Sequence, residues 1–135
     1  MYKKAQVIIA VFIKNEKVLV EKRSLKNFEG EQYLIPGGKV KGNLEDIEQA
    51  LKREVLEELG VKILEFIPLS KTQRILGLKG QELIPFLIQK WEGELPESIL
   101  DKGNLLEWVE IEKALNTPVK PTREIVQVLK NYLSQ

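Results

Sequence analysis

The stretch "NLEDIEQALKREVLEELG", Asn43 to Gly60, constrains this chain more than any other. Its apolar residues recur at helical spacing, which predicts a helix over Leu44 to Leu59. Asn43 is placed as its N-cap, Glu45 and Asp46 complement the positive end of the helix dipole, and Gly60 stands where a C′ glycine belongs. On a wheel of about 100° per residue with Ile47 at zero, Leu51 lies at about +40° and Ala50 at about −60°, which defines an apolar face. Glu54 at about −20° and Glu58 at about +20° fall in the middle of that face, with Glu57 beside them at about −80°. Leu56 and Leu59 lie on the far side, which predicts a helix apolar on two faces and clasped between other elements.

A solvated acidic segment is the plain reading of "EVLEEL", and the wheel argues against it. Glu54, Glu57 and Glu58, at i, i+3 and i+4, converge on one side of the helix, and like charges in a partly desolvated setting repel unless a cation neutralises them. A hard divalent ion with oxygen ligands is the economical solution. Mg²⁺ fits best, with Mn²⁺ an alternative, because it is held by a few carboxylates together with substrate phosphates. Gly37 and Gly38 lie between a strand and this helix, so backbone groups there can approach a metal or a phosphate without a Cβ in the way. A Gly-Gly pair alone fits an ordinary turn equally well.

The rest of the chain reads as mostly strands. Residues 5–13 and 17–22 flank "KNE" as a hairpin, the first strand apolar on both faces and therefore central. "EQYLIPGGK" is a short strand broken by Pro36 and the glycines. Residues 61–70, 82–91 and 105–111 are three more strands, Pro85 placing its strand at an edge or on a bulge. After Pro121, Ile125, Val128, Leu129 and Leu133 share one face of a closing amphipathic helix. The irregular alternation of strands and helices favours a mixed sheet with helices packed on its faces, an α/β (α+β) architecture. At 135 residues the chain is expected to be one domain, residues 1–135.

Composition narrows the chemistry. With no Cys and no His, thiolate zinc sites, cysteine nucleophiles and the usual imidazole base are excluded, which leaves carboxylates, Lys, Arg, Tyr and hydroxyls. Lys and Arg total 21 against 20 Asp and Glu, so no nucleic-acid duplex is expected as partner. The apolar run Ala5 to Ile13 follows basic residues as in a signal peptide, but no small-residue cleavage site comes after it and the pattern continues as a second strand. No stretch has the roughly 20 apolar residues of a membrane span. A cytoplasmic protein, monomer or homodimer, with no membrane partner, is the expectation.

"GGKVKGNLEDIEQALKREVLEELGV", Gly37 to Val61, closely resembles the Nudix box, G-x5-E-x7-R-E-U-x-E-E-x-G-U with U aliphatic, the signature of Nudix hydrolases. From Glu45 through Arg53 to Val61 the match is complete, whereas six residues rather than five separate Gly38 from Glu45. "EKRSLKNFEGEQYLIPGGK" before the box, and "QKWEGELPE" with "LLEWVEI" after it, look like the MutT-type branch. The resemblance implies a Nudix α/β/α sandwich with helices on both sheet faces. It also implies hydrolysis of a small nucleotide, a nucleoside diphosphate linked to another moiety, with Mg²⁺ as cofactor. By the same mapping Glu57 and Glu58 ligate the metal with the Gly37 carbonyl nearby, Glu54 is ligand or general base, Arg53 orients the glutamates and Glu45 is structural.

Arg23 and Lys39 are candidates for phosphate contact, the alternative for each being a solvated surface cation. Asp101, in the turn "DKGN", is a candidate for a further acid at the substrate, with Glu97 behind it and plain loop carboxylates as the alternative. Trp91 and Trp108 suit base stacking or, more simply, packing. MutT-type enzymes use an Asn for the purine where this chain has Thr122. The proline of an ADP-ribose subfamily and the tyrosine of a dinucleoside-polyphosphate subfamily are both missing after the box. The expectation is a MutT-like pyrophosphohydrolase acting on nucleoside triphosphates, with ADP-ribose or another nucleoside-diphosphate sugar as alternative substrate, and with a non-catalytic nucleotide sensor or a purely structural acidic helix as alternative roles.

Overall fold

The computed structural model describes residues 5–23, 32–42, 44–70 and 74–135. Asn43, and residues 24–31 of the approach to the box, lie outside the described residues. The first hairpin joins β1 (Gln6–Lys14) to β2 (Lys17–Arg23). Asn15 and Glu16 both adopt positive φ, 52° and 63°, the backbone that a tight two-residue hairpin turn requires. Next come β3 (Gln32–Leu34), β4 (Gly37–Lys39), helix α1 (Ile47–Leu59), β5 (Lys62–Pro68), β6 (Ile75–Leu76), β7 (Glu82–Glu92), β8 (Leu106–Glu110), and helices α2 (Ile111–Ala114) and α3 (Lys120–Leu133).

The sheet runs β3-β2-β1-β7-β5, with β4 also on β1, β6 on β7 and β8 on β2. Strands β1 and β7 are parallel and the other pairs antiparallel, so the sheet is mixed. As its apolar run requires, β1 is central and buried on both faces. Ile8, Ala10 and Phe12 pack with Leu51, Val55 and Leu59 of α1 on one side. On the other, Ile9 and Val11 pack with Ile125, Val126 and Leu129 of α3. Helices therefore cover both faces, and among the described residues none is long and apolar enough to cross a membrane.

Several sequence expectations need correction. Helix α1 starts at Ile47 rather than Leu44, because Asp46 forms a capping box: Gln49 N–H donates to Asp46 Oδ1 at 2.7 Å and Asp46 N–H to Gln49 Oε1 at 2.9 Å. Glu45 is thus outside the helix. Only one broad face of α1 is buried, since Leu56 is 58% exposed while Leu59 joins the core. Pro85 lies within a central strand rather than at an edge, and the other half of that expectation holds, since the register of β7 against β5 shifts between Trp91 and Ile88. The Pro85 carbonyl accepts from Leu69 N–H at 3.0 Å, so its absent N–H faces the same way, toward the break between β5 and β6 where no ladder partner is needed. Residue 111 opens α2 instead of ending a strand, and β6 was not expected. Helix α3 begins at Lys120 with Pro121 in its first turn, where a missing N–H costs nothing; Val126 is buried and Leu133 is 46% exposed.

Candidate functional site

Helix α1 and strand β4 build the site together. Strand β4 pairs with β1 through Ile8↔Gly38 and Ile9↔Gly37, which lays the glycine pair against the helix face that carries Glu54 and Glu58. A Cβ on Gly38 would meet the Glu54 carboxylate, and a Cβ on Gly37 would meet the Ile8 carbonyl. Both glycines are therefore needed for close approach, and Gly38 is what lets Glu54 reach the strand. Gly37, Glu54 and Glu58 line a cavity of about 10 Å³ between helix and sheet.

Arg53 organises the acids. Its Nε and Nη2 donate to the two oxygens of Glu45 at 3.0 and 2.7 Å, Nη1 donates to Glu54 at 2.8 Å and to Glu57 at 3.1 Å, and Nη2 donates also to the Lys39 carbonyl at 3.0 Å. Every guanidinium N–H is thereby engaged. Glu45 in turn accepts from Lys41 N–H at 2.9 Å, and ahead of the helix Gly42 N–H donates to Val40 O at 2.9 Å and Leu44 N–H to Lys41 O at 3.0 Å, with Gly42 at φ 51°. The bond from Arg53 holds the Glu45 carboxyl down at about 2. The bond to Glu45, in return, raises Arg53 further.

The Glu45 contribution should be fully present above the ordinary value of 4.5 and disappear as pH falls through the window down to about 2. Glu45→Gln is therefore expected to lower Tm at neutral pH, with the gap to wild type closing as the scan is repeated toward pH 2. A gap that does not change with pH would show that the charge of Glu45 contributes nothing.

The three glutamates differ in environment. Glu58 is 5% exposed. Burial first, then its hydrogen bond with Glu54, pushes its carboxyl up to about 7, against the lowering effect of Lys102. Glu54 is nearly buried, and Glu57 is half-exposed on the flank of the helix. Among the described residues no group of three acidic side chains is gathered into a metal-ligating cluster, Glu54 and Glu57 both being bonded to Arg53.

The turn after Ile99 closes the far end of α1. Leu100 N–H donates to the Glu58 carbonyl at 2.9 Å, Gly103 N–H to Ile99 O at 2.8 Å, and Lys102 Nζ lies 3.8 Å from Glu58 Oε1. Asp101 is exposed in this turn, close enough for its charge to act on Glu58. Glu97 is exposed and its carbonyl pairs with Leu106 N–H. Arg23, at the end of β2, donates from Nε to Glu21 at 2.7 Å. Lys39 has an exposed side chain and meets the cluster only through its carbonyl. Trp91 packs edge-on against Phe12 at 5.0 Å and Trp108 joins the α1-side core, in line with packing. Thr122 is buried and donates its hydroxyl to Tyr33 O at 2.7 Å.

Two further residues, Glu21 and Asn104, escaped the sequence reading, and a third, Gly38, was read without its contact to Glu54. Gly38 was visible as half of the glycine pair, but its contact with Glu54 depends on strand register. Glu21 carried the signal of a carboxylate where an inward-facing strand residue belongs. Asn104 and Glu21, 83 positions apart, are linked by pairing that no local pattern reports.

The NUDIX domain family model matches residues 2–129. An 8-oxo-dGTP diphosphatase of Buchnera aphidicola (subsp. Schizaphis graminum) is 32% identical over 133 residues, 97% of each chain. The MutT NUDIX hydrolase of Burkholderia pseudomallei superposes with a TM-score of 0.71 at 24% identity, covering 95% of this chain and 99% of that one. The NUDIX domain of Shewanella oneidensis NrtR, solved with ADP ribose, gives 0.70 at 18% identity, over 98% and 90%. The Arg53-centred cluster thus lies within a fold shared over nearly the whole chain, which belongs to the Nudix family as a MutT-like Nudix hydrolase.

Proposed function

We propose that this protein is a divalent-cation-dependent pyrophosphohydrolase of nucleoside triphosphates, acting in the cytoplasm and releasing a nucleoside monophosphate and pyrophosphate. The observation that carries the reading is the forced proximity of Glu54 and Glu58. Two carboxylates that line one small cavity between helix and sheet, one of them raised to about 7, are a costly arrangement that a hard cation relieves. The donor set is all oxygen, which suits Mg²⁺ or Mn²⁺. Glu57, Glu58 and the Gly37 carbonyl would hold the ion, with Glu54 as a further ligand or as the base.

When bound, such an ion polarises a phosphoryl oxygen and makes water a better nucleophile at neutral pH. The chain's own residues do the rest. Glu54, steadied by Arg53, takes a proton from the attacking water. Arg23 and Lys39 neutralise phosphate charge, and Asp101, whose charge reaches Glu58, orients the substrate. The name of the Buchnera relative makes 8-oxo-dGTP the first substrate to try. Thr122 does not supply the side-chain amide of the MutT-type purine contact, so the base preference is to be read from the assay.

A panel of nucleoside triphosphates including 8-oxo-dGTP, with ADP-ribose alongside, is expected to show pyrophosphate release from triphosphates with Mg²⁺ and none with excess EDTA. Turnover that survives EDTA overturns the metal reading. Turnover of ADP-ribose alone overturns the triphosphate reading, and nucleotide binding with no turnover of any compound indicates a sensor.

A further inference from the structure

Along β2, Val18 and Val20 face the α3 side and Leu19 the α1 side, so Glu21 occupies an α1-side position where an apolar residue would be expected. It is 4% exposed. A carboxylate buried at that level is tolerated only when its oxygens are bonded to donors that repay its lost hydration. Oε1 of Glu21 accepts from Arg23 Nε and from Asn104 Nδ2, both at 2.7 Å. The two donors come from different elements. Asn104 belongs to the turn fastened to α1 through Leu100, and pairing of β8 with β2, together with Lys22 N–H donating to Leu105 O at 2.9 Å, brings it to Glu21.

We propose that Glu21 is a positioning residue for the reaction: held in place by Asn104, it fixes the plane of the Arg23 guanidinium so that the outer edge of that group meets the substrate phosphates. The bond engages Nε, the nitrogen next to the side-chain stem, which sets the plane without occupying the outer edge through which guanidinium binds phosphate. A guanidinium oriented before the substrate arrives loses less freedom on binding than a loose one. This inference rests on the reading of Arg23 as a phosphate contact given above.

The test is a double-mutant cycle in steady-state kinetics, with the nucleoside triphosphate turned over fastest in the panel as probe. Arg23→Ala is expected to raise KM about tenfold or more, Glu21→Gln to raise KM about tenfold with kcat changed far less, and Glu21→Gln in the Arg23→Ala background to add nothing. Arg23→Lys keeps the charge but has no Nε donor, so it should cost nearly as much as Arg23→Ala. It also leaves Glu21 in place should Glu21→Gln fail to fold.

If Arg23→Ala leaves KM unchanged, the phosphate reading of Arg23 fails. If Arg23→Ala raises KM but Glu21→Gln adds its own full effect in that background, or Arg23→Lys matches wild type, the positioning role fails and Glu21 is only a buried ion-pair partner. A panel with no triphosphate turned over removes the ground for both.

Discussion

Glu54→Gln is expected to lower kcat by about 10²–10⁴-fold, the usual contribution of a positioned proton acceptor. The amide keeps the size of the carboxylate and an oxygen that can still accept from Arg53 Nη1, so the helix and its contacts with Gly38 should persist. What the variant loses is basicity. With no histidine in the chain, the acidic limb of the wild-type kcat profile is set by carboxylates or by cation binding, and activity should continue to rise into alkaline pH. Glu54→Gln should depress that profile at every pH rather than displace the limb. The measurement is kcat from mildly acidic to alkaline pH at saturating Mg²⁺ for both proteins. Equal rates would remove Glu54 from the chemistry and transfer the base to Asp101, Glu97 or no side chain.

Glu58→Gln should separate stability from activity. Without a cation, the folded protein holds the Glu58 carboxyl at about 7, above its ordinary 4.5, so folding binds a proton between those values. The destabilisation by this group is absent below pH 4.5, grows as pH rises through the window and is complete above 7, where it reaches about 3 kcal/mol at most. In EDTA the Gln variant should therefore melt with wild type near pH 4 and above it at pH 8. Mg²⁺ should raise the Tm of wild type and leave the variant little changed, and turnover should fall well over about tenfold. A variant that melts below wild type at pH 8 in EDTA contradicts the burial argument. One that turns over at the wild-type rate contradicts the ligand role.

How much of this was legible depended on the range of the interaction. The helix, its glycine stop and the convergence of Glu54 with Glu58 follow from the helical period, and the centrality of β1 follows from its unbroken apolar run. The errors arose where a local rule met a longer-range one. Proline suggested an edge or a bulge; β7 is central and its register against β5 does shift, but Pro85 itself lies opposite a break in the neighbouring strands that the sequence does not mark. Leu56 suggested a second buried face, but among the described residues no element covers it and its side chain is exposed. Asp46 outcompeted the start suggested by Asn43 and Leu44 because Gln49 completes its capping box, a pairing readable in principle from spacing alone. Glu21 with Asn104, and Gly38 with Glu54, depend on strand register and could be found only in three dimensions.

The saturation of Arg53 carries over to how this chain tolerates change. Each of its N–H groups has one acceptor, supplied by Glu45, Glu54, Glu57 or the carbonyl of residue 39, so replacing any one carboxylate by a side chain with no acceptor oxygen strands a donor already committed to it. Lysine at 53 could not span the set, having three donors on a single nitrogen. Substitutions at 45, 53, 54 and 57 should then fail to add in pairs, and lineages that depart from this pattern should change several of these positions together. A family-wide comparison in which position 45 varies freely while 53, 54 and 57 stay fixed would show that Glu45 is a dispensable acceptor, and that the guanidinium needs only its partners on the helix.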